Sequence, residues 1–275
     1  VDARLQRRIQ RYGWDKAAPY YERFWQTQLA PAQDRLFDLA QLTPGERVLD
    51  VACGTGLVTF RAAAIVGPAG AVVATDISDA MVDFVSAEAT RRVVPHVSAA
   101  RMDAETLDCG DASFDVVLCA LGLMYVADPL RALTEARRVL RPGGRFVAAV
   151  WGARGKCGWA EIFTIVDARV QSDVCPMFFQ LGTRDALERT MGTAGFQQIR
   201  TDRISTVLEY ASADEAVGAA FVGGPVALAH SRFDARMREE AHADYLASIE
   251  PYRSGEGYRV PGEFVIARGV KPSGS

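Results

Sequence analysis

Residues 47 to 59, Arg-Val-Leu-Asp-Val-Ala-Cys-Gly-Thr-Gly-Leu-Val-Thr, constrain this chain more than any other stretch. Val48-Leu49-Asp50-Val51 is an apolar run of the length that suits a buried parallel strand. A turn of small residues, Ala52 to Gly56, follows, and Leu57 to Ala64 can continue as a helix. Strand, glycine turn and helix together bring a ligand against bare backbone N–H groups at a helix N-terminus.

The same alternation recurs downstream. Strands are expected at Ala71 to Asp76, Val97 to Met102, Phe114 to Ala120 and Arg145 to Trp151. Helices are expected between them, at Asp79 to Arg91 with Ser78 or Asp79 as N-cap, and at Pro129 to Leu140. Arg141-Pro142-Gly143-Gly144 reads as the turn before the fifth strand. Such alternation implies an α/β protein with a parallel sheet covered on both faces. Upstream, an aromatic-rich helix over residues 1–30 stops near Pro31, and a second helix runs from Arg35 to Leu42. After Trp151 the pattern loosens. Helices are expected at Gly158 to Val170, Thr183 to Ala194, Ser212 to Phe221 and Pro225 to Ala247. Ile199 to Tyr210 reads as a strand, and Gly257 to Arg268 as a strand pair or one bent strand. Segments 1–30, 152–182 and 211–255 have no place in the alternation and read as a helical cap on a core spanning 31–275.

Composition excludes several function classes. A formal charge of −3 argues against a broad footprint for nucleic acid or an anionic membrane. The five cysteines are scattered with no Cys-x-x-Cys, which argues against a disulfide framework or a structural zinc site, and no metal site is expected. With no signal-like apolar start and no apolar run long enough to span a bilayer, a cytoplasmic location is the expectation.

The glycine turn then narrows its own ligand. A dinucleotide fingerprint places a third glycine three residues beyond Gly56, where this chain has Thr59; a phosphate loop needs a lysine that is missing. Asp50, at the strand end, would be unfavourable beside phosphates and favourable beside a cation. Asp-Val-Ala-Cys-Gly-Thr-Gly closely resembles the first motif of the class I S-adenosylmethionine-dependent methyltransferases, with Ala52 where many members have glycine. The resemblance continues in order through Val72 to Ile77, Asp79-Ala80-Met81, Met102-Asp103-Ala104-Glu105, Asp115 to Asp128 and Leu140 to Arg145. It covers roughly residues 12 to 151. The Tyr20-Tyr21 helix and Leu-Arg-Pro-Gly-Gly-Arg are similar to the small-molecule branch around the quinone C-methyltransferases (UbiE/COQ5-like).

That resemblance implies a doubly wound, seven-stranded, mostly parallel sheet with the last strand antiparallel. It also implies S-adenosyl-L-methionine as cofactor, with S-adenosyl-L-homocysteine as product. Asp50 then suits the ammonium, Asp76 the ribose diol, and Asp103 with the Ala104 N–H the adenine edge. Gly54 and Gly56 permit close approach beside Ala52, Ile77 and Met81 flank the adenosine, and Cys119 and Ala120 line the methionine portion. Tyr20 closes over that end. Methyl transfer from a sulfonium needs alignment more than an enzyme nucleophile. The candidate general bases are His230 and Tyr21, although His230 and His242 are expected to face solvent and His96 to be structural. An aromatic cap (Trp25, Trp159, Phe163, Phe178) suits an apolar or aromatic small-molecule methyl acceptor methylated on carbon or oxygen. No nucleic-acid partner is expected, and a homodimer is allowed for. Two alternatives stand beside this reading: a thiol or arsenite methyltransferase using Cys53, Cys119, Cys157 or Cys175, and a non-catalytic cofactor-binding protein.

Overall fold

The computed structural model describes residues 2–170 and 177–274. Five parallel strands form its first half: β1 (Arg47–Val51), β2 (Ala71–Asp76), β3 (Val97–Arg101), β4 (Phe114–Ala120) and β5 (Leu140–Trp151). β6 (Gln197–Tyr210), the two-residue β7 (Arg253–Ser254) and β8 (Gly257–Val270) complete the sheet, in the order β3-β2-β1-β4-β5-β8-β6 with β7 paired to β8. β8 runs antiparallel to both β5 and β6. The expected seven-stranded, doubly wound, mostly parallel sheet is therefore present, with one short extra strand. Central strands are apolar on both faces because both faces are covered: Val48, Leu49, Val116, Val117, Leu118 and Val147 to Val150 have no exposed surface. The edge strand β6 alternates toward solvent.

The helices are α1 (Ala3–Ala40), α2 (Leu57–Val66), α3 (Asp79–Arg91), α4 (Pro129–Val139), α5 (Glu161–Asp167), α6 (Ala186–Thr193), α7 (Ala213–Phe221), α8 (Ala227–His230) and α9 (Ala235–Ile249). Ser78, not Asp79, caps α3, its hydroxyl accepting from Met81 N at 3.2 Å.

Three expectations need correction. The first concerns Pro31, which does not end the first helix: α1 is continuous over 38 residues with Pro19 and Pro31 inside it. An interior proline costs about 3 kcal/mol. Leu29, Leu36 and Leu39 are buried on either side of it, each worth about 1.5–3 kcal/mol, so packing outweighs the lost bond. Position 30/31 thus lies within a helix. Second, Leu140 to Gly144 is a bulged part of β5 rather than a free turn. Leu140 pairs with Phe114, the register shifts, and Gly143 N donates to Lys271 O at 2.9 Å. Third, residues 225–247 form two helices, because Asp234 caps a new start by accepting from Met237 N at 2.8 Å. Of the two readings of Gly257 to Arg268, a strand pair or one bent strand, the structure has the single strand, β8.

β1 and β4 are neighbours, with connections leaving in opposite directions, so strand order reverses between them. A ligand crevice is expected outside the carboxyl ends at such a point. The first half of α1 lies across these ends: Arg11 bonds Asp79 and Asp15 accepts from Ser78 Oγ at 2.6 Å.

Candidate active site

The glycine turn after β1 is shaped by left-handed backbone. Ala52 (φ +56°), Gly54 (+54°) and Gly56 (+90°) all occupy that region, so Ala52 carries a strain that glycine would not. Gly54 lines the main cavity. Gly56 does not: it starts α2 and faces inward, where a Cβ would meet Phe60 at 2.8 Å. Gly122, after β4, approaches so closely that a Cβ there would overlap that of Ala52.

Three strand-end acids border this crevice. Asp50 is 1% exposed; its Oδ2 accepts from Thr59 Oγ1 at 2.6 Å, and its Oδ1 is buried with no partner among the described residues. Burial pushes its carboxyl up to about 7. It faces a small recess shared with Gln33 and Cys53, and Tyr21, Ala52, Gly54 and Ala120 line both this recess and the main cavity. Asp76 accepts from Gly54 N and Ser78 N, each at 2.9 Å, and burial lifts its carboxyl above the usual range. Asp103 accepts from Glu105 N at 2.9 Å and pairs with Arg7 at 2.8 Å. Glu105, buried behind it, also holds Arg7 and accepts from Ala127 N at 2.8 Å. Ile77, Met81, Ala104 and Ala120 line the same cavity, so the structure brings together most of the residues singled out by sequence.

Some it does not bring there. Tyr20 is 44% exposed and absent from the lining, while Tyr21 is in it. The cavity face of α1 runs Arg7, Gln10, Trp14, Tyr21, Trp25 and Leu29, a helical stripe from which Tyr20 is rotated by about 100°. Cys119 is buried off the lining, its thiol pushed by burial up to about 12. His230 and His242, expected to face solvent, are half-buried; their rings pack at a tilt against Phe221 with their Nε2 atoms 3.0 Å apart, and neither lines the cavity. Burial pushes His230 down to about 4. Burial, then the charge of Asp76, raises the Tyr21 phenol, which stays protonated at neutral pH. Of the two candidate bases, His230 thus lies off the cavity lining and Tyr21 lines it in its neutral form.

The cavity encloses about 1180 Å³, its open mouth included. Arg7, Asp76, Asp103 and Glu105 mark one half. Trp25, Trp151, Trp159, Phe178, Tyr210 and Tyr245 form the other, where the lining carries no charged side chain. The aromatic rings pack edge to face, Trp151 and Trp159 at 4.9 Å and Trp159 and Phe178 at 5.7 Å. Sequence reading missed Arg7, Gln10, Trp14 and Gln33, although the helix expected over residues 1–30 already places the first three on one stripe. Cys157 is buried off the lining with its thiol pushed up to about 11, and Cys175 lies outside the described residues. Among the described residues no three His, Cys, Asp or Glu side chains could hold a metal ion, and no helix is long and apolar enough to cross a membrane.

A methyltransferase-domain family profile matches residues 49–148, the segment that carries the glycine turn and the three strand-end acids. A ubiquinone/menaquinone biosynthesis C-methyltransferase, UbiE of Shewanella frigidimarina, is 36% identical over 196 residues, covering 64% of this chain and 74% of that protein. With the strand-end acids and the glycine turn, these likenesses define the class: the chain belongs to the class I S-adenosylmethionine-dependent methyltransferases, in their small-molecule branch. Among individual proteins, the aklanonic acid methyltransferase DauC of a Streptomyces species is 36% identical over 132 residues, 48% of this chain and 60% of that one. A UbiE of Ectopseudomonas mendocina is 39% identical over 127 residues, 46% of this chain and 50% of that protein. The chain thus spans half to three fifths of these two relatives. In structure it is similar to the [4+2]-cyclase SpnF, with a TM-score of 0.58, 22% identity, and 91% of this chain and 83% of that one covered.

Proposed function

We propose that this protein binds S-adenosyl-L-methionine and transfers its methyl group, by in-line displacement, to a carbon or oxygen of an apolar, aromatic small molecule. The observation that carries the reading is the buried, unpaired Oδ1 of Asp50, beside a glycine turn and a cavity that is acidic at one end and aromatic at the other. A lone buried carboxylate oxygen is costly unless a ligand pairs with it. An α-ammonium supplies that partner. Asp76 keeps lone pairs beyond those used by Gly54 and Ser78 and suits the ribose hydroxyls. Asp103 and the Ala104 N–H suit the adenine, with Ile77 and Met81 against its faces. Ala52, Gly54 and Ala120 leave room for the methionine portion, and Tyr21 takes the covering role that Tyr20 cannot reach.

The sulfonium supplies an already activated methyl group. What the chain contributes is alignment, exclusion of water by α1 and the aromatic wall, and a fixed field from the acids. The acceptor brings its own nucleophilicity, because His230 lies off the cavity lining and the Tyr21 phenol stays protonated at neutral pH. The likeness to a protein named as a cyclase shows that this fold alone does not decide the reaction. Transfer of radiolabelled methyl from S-adenosylmethionine to a panel of quinols, phenols and thiols tests the reading. Label recovered in a quinol or phenol supports it. Label only in thiols, or binding of S-adenosylhomocysteine with no transfer to any acceptor class, refutes it.

A further inference from the structure

We propose that Gln33 recognises the α-carboxylate of the bound cofactor and so makes the site selective for a cofactor with an intact amino-acid end. The inference rests on the methyl-transfer reading above and adds a residue that this reading leaves without a role.

Gln6, Gln10, Gln28 and Gln33 of α1 are all buried. The first three have partners. Gln6 donates to Tyr125 O at 3.4 Å, Gln10 accepts from Trp14 Nε1 at 3.2 Å, and Gln28 holds both backbone groups of Glu209, at 2.5 and 3.1 Å. Gln33, 6% exposed, makes no hydrogen bond to a described residue. Its amide is not sealed by protein, and the residue lines the small recess beside Asp50. A buried amide left without a partner is costly, and a ligand in the recess relieves that cost.

The phase of α1 carries Gln33 there. Tyr21, Trp25, Leu29 and Gln33 follow one another at intervals of four, which stacks their side chains along one face of the helix. Tyr21, Trp25 and Leu29 line the main cavity, and Tyr21 and Leu29 line the recess as well. Leu57 and Val58, the first two residues of α2, also line the recess, and the N-cap residue Gly56 gives them no side-chain acceptor.

These surroundings set the ligand chemistry. The lining of the recess has one acid, Asp50, and no lysine or arginine. Asp50 suits the ammonium of the methionine end. The two charges of an α-amino acid sit on one carbon, so donors that share the recess with Asp50 meet the carboxylate. The Gln33 amide and the uncapped first turn of α2 supply those donors without bringing a second positive charge. An N–H bond to a carboxylate is charge-assisted and belongs to the stronger kind. A cofactor analogue that lacks the carboxylate leaves the amide unpaired, and sites built this way discriminate against such analogues.

The test uses the full chain and calorimetry at pH 8, where the Asp50 carboxyl is largely ionised. One probe is S-adenosylhomocysteine. The other is S-adenosyl-3-thiopropylamine, which keeps the ammonium and lacks the carboxylate. Wild type should bind the first at least about tenfold more tightly than the second. Gln33→Leu should weaken S-adenosylhomocysteine about tenfold and leave the thiopropylamine within about twofold of wild type. Gln33→Glu, which sets one carboxylate against another, should weaken S-adenosylhomocysteine further than Gln33→Leu does. Equal wild-type affinity for the two probes, an equal loss of both on Gln33→Leu, no loss of either, or wild-type binding of S-adenosylhomocysteine by Gln33→Glu overturns the proposal. Should neither variant keep its fold by circular dichroism, a crystal structure of wild type with S-adenosylhomocysteine decides. The Gln33 amide within hydrogen-bond distance of the ligand carboxylate supports the proposal, and an amide directed elsewhere overturns it. Failure of S-adenosylhomocysteine to bind wild type is a separate outcome, which removes the methyl-transfer reading and this inference with it.

Discussion

Replacing Asp50 with asparagine should change cofactor affinity and apoprotein stability in opposite directions. In the ligand-free protein burial lifts the Asp50 carboxyl from its ordinary 3.8 to about 7, while Thr59 donates to only one oxygen. The native state therefore binds this proton more tightly than the unfolded chain between those two values. Its contribution to stability is fully present below about pH 4 and is lost as pH rises through about 7. The gap sets a ceiling of about 4 kcal/mol on the loss. Asp76, also lifted by burial, contributes with the same sign. The amide introduced by D50N carries no charge and can still accept from Thr59, so the variant should melt at a higher temperature than wild type at pH 8 and nearly the same at pH 4. The ammonium-binding role demands the reverse for affinity. The pairing form of Asp50 is ionised, which at pH 6 is about one tenth of the molecules, so wild-type affinity for S-adenosylhomocysteine should weaken about tenfold between pH 8 and pH 6. D50N should bind at least tenfold more weakly than wild type at pH 8 and lose most of that pH dependence. Calorimetry at both pH values and thermal melts of the empty proteins measure every term. A D50N variant that binds as wild type does, or that is less stable than wild type at pH 8, refutes the reasoning.

Asp76→Ala should lower S-adenosylhomocysteine affinity about a hundredfold, with the fold kept by circular dichroism, because it removes charge-assisted acceptors. Gly122→Ala should lose about 1–3 kcal/mol of stability in denaturant unfolding, since its Cβ would overlap that of Ala52. His230→Ala should leave the pH profile of methyl transfer unchanged, because His230 lies off the cavity wall; a shifted profile would restore it as a base. Arg7→Ala should speed S-adenosylhomocysteine release in stopped-flow measurements by freeing the start of α1 from Asp103 and Glu105, and an unchanged rate would deny α1 a part in retention.

Local pattern alone determined the strand-turn-helix at Arg47 to Thr59, the alternation through Trp151, and the acids at successive strand ends. These were legible because a parallel strand is a continuous apolar run and because its carboxyl end is where polar residues reappear. Asp50, Asp76 and Asp103 needed no tertiary information beyond the order of the strands. Tertiary structure decided what depends on packing across the chain. Pro31 reads locally as a stop, and only the buried leucines around it keep α1 continuous. The packing of α1 on the core decides which face of the helix meets the cavity, and that face puts Tyr21 rather than its neighbour Tyr20 against the glycine turn. The same face carries Arg7, Gln10, Trp14 and Trp25. The histidines looked solvent-facing because their partner, Phe221, lies on a different helix. The unpaired oxygen of Asp50 and the unpaired amide of Gln33 were beyond any reading of the sequence. Whether a polar atom lacks a partner is a property of everything around it, and those surroundings exist only once the chain has folded.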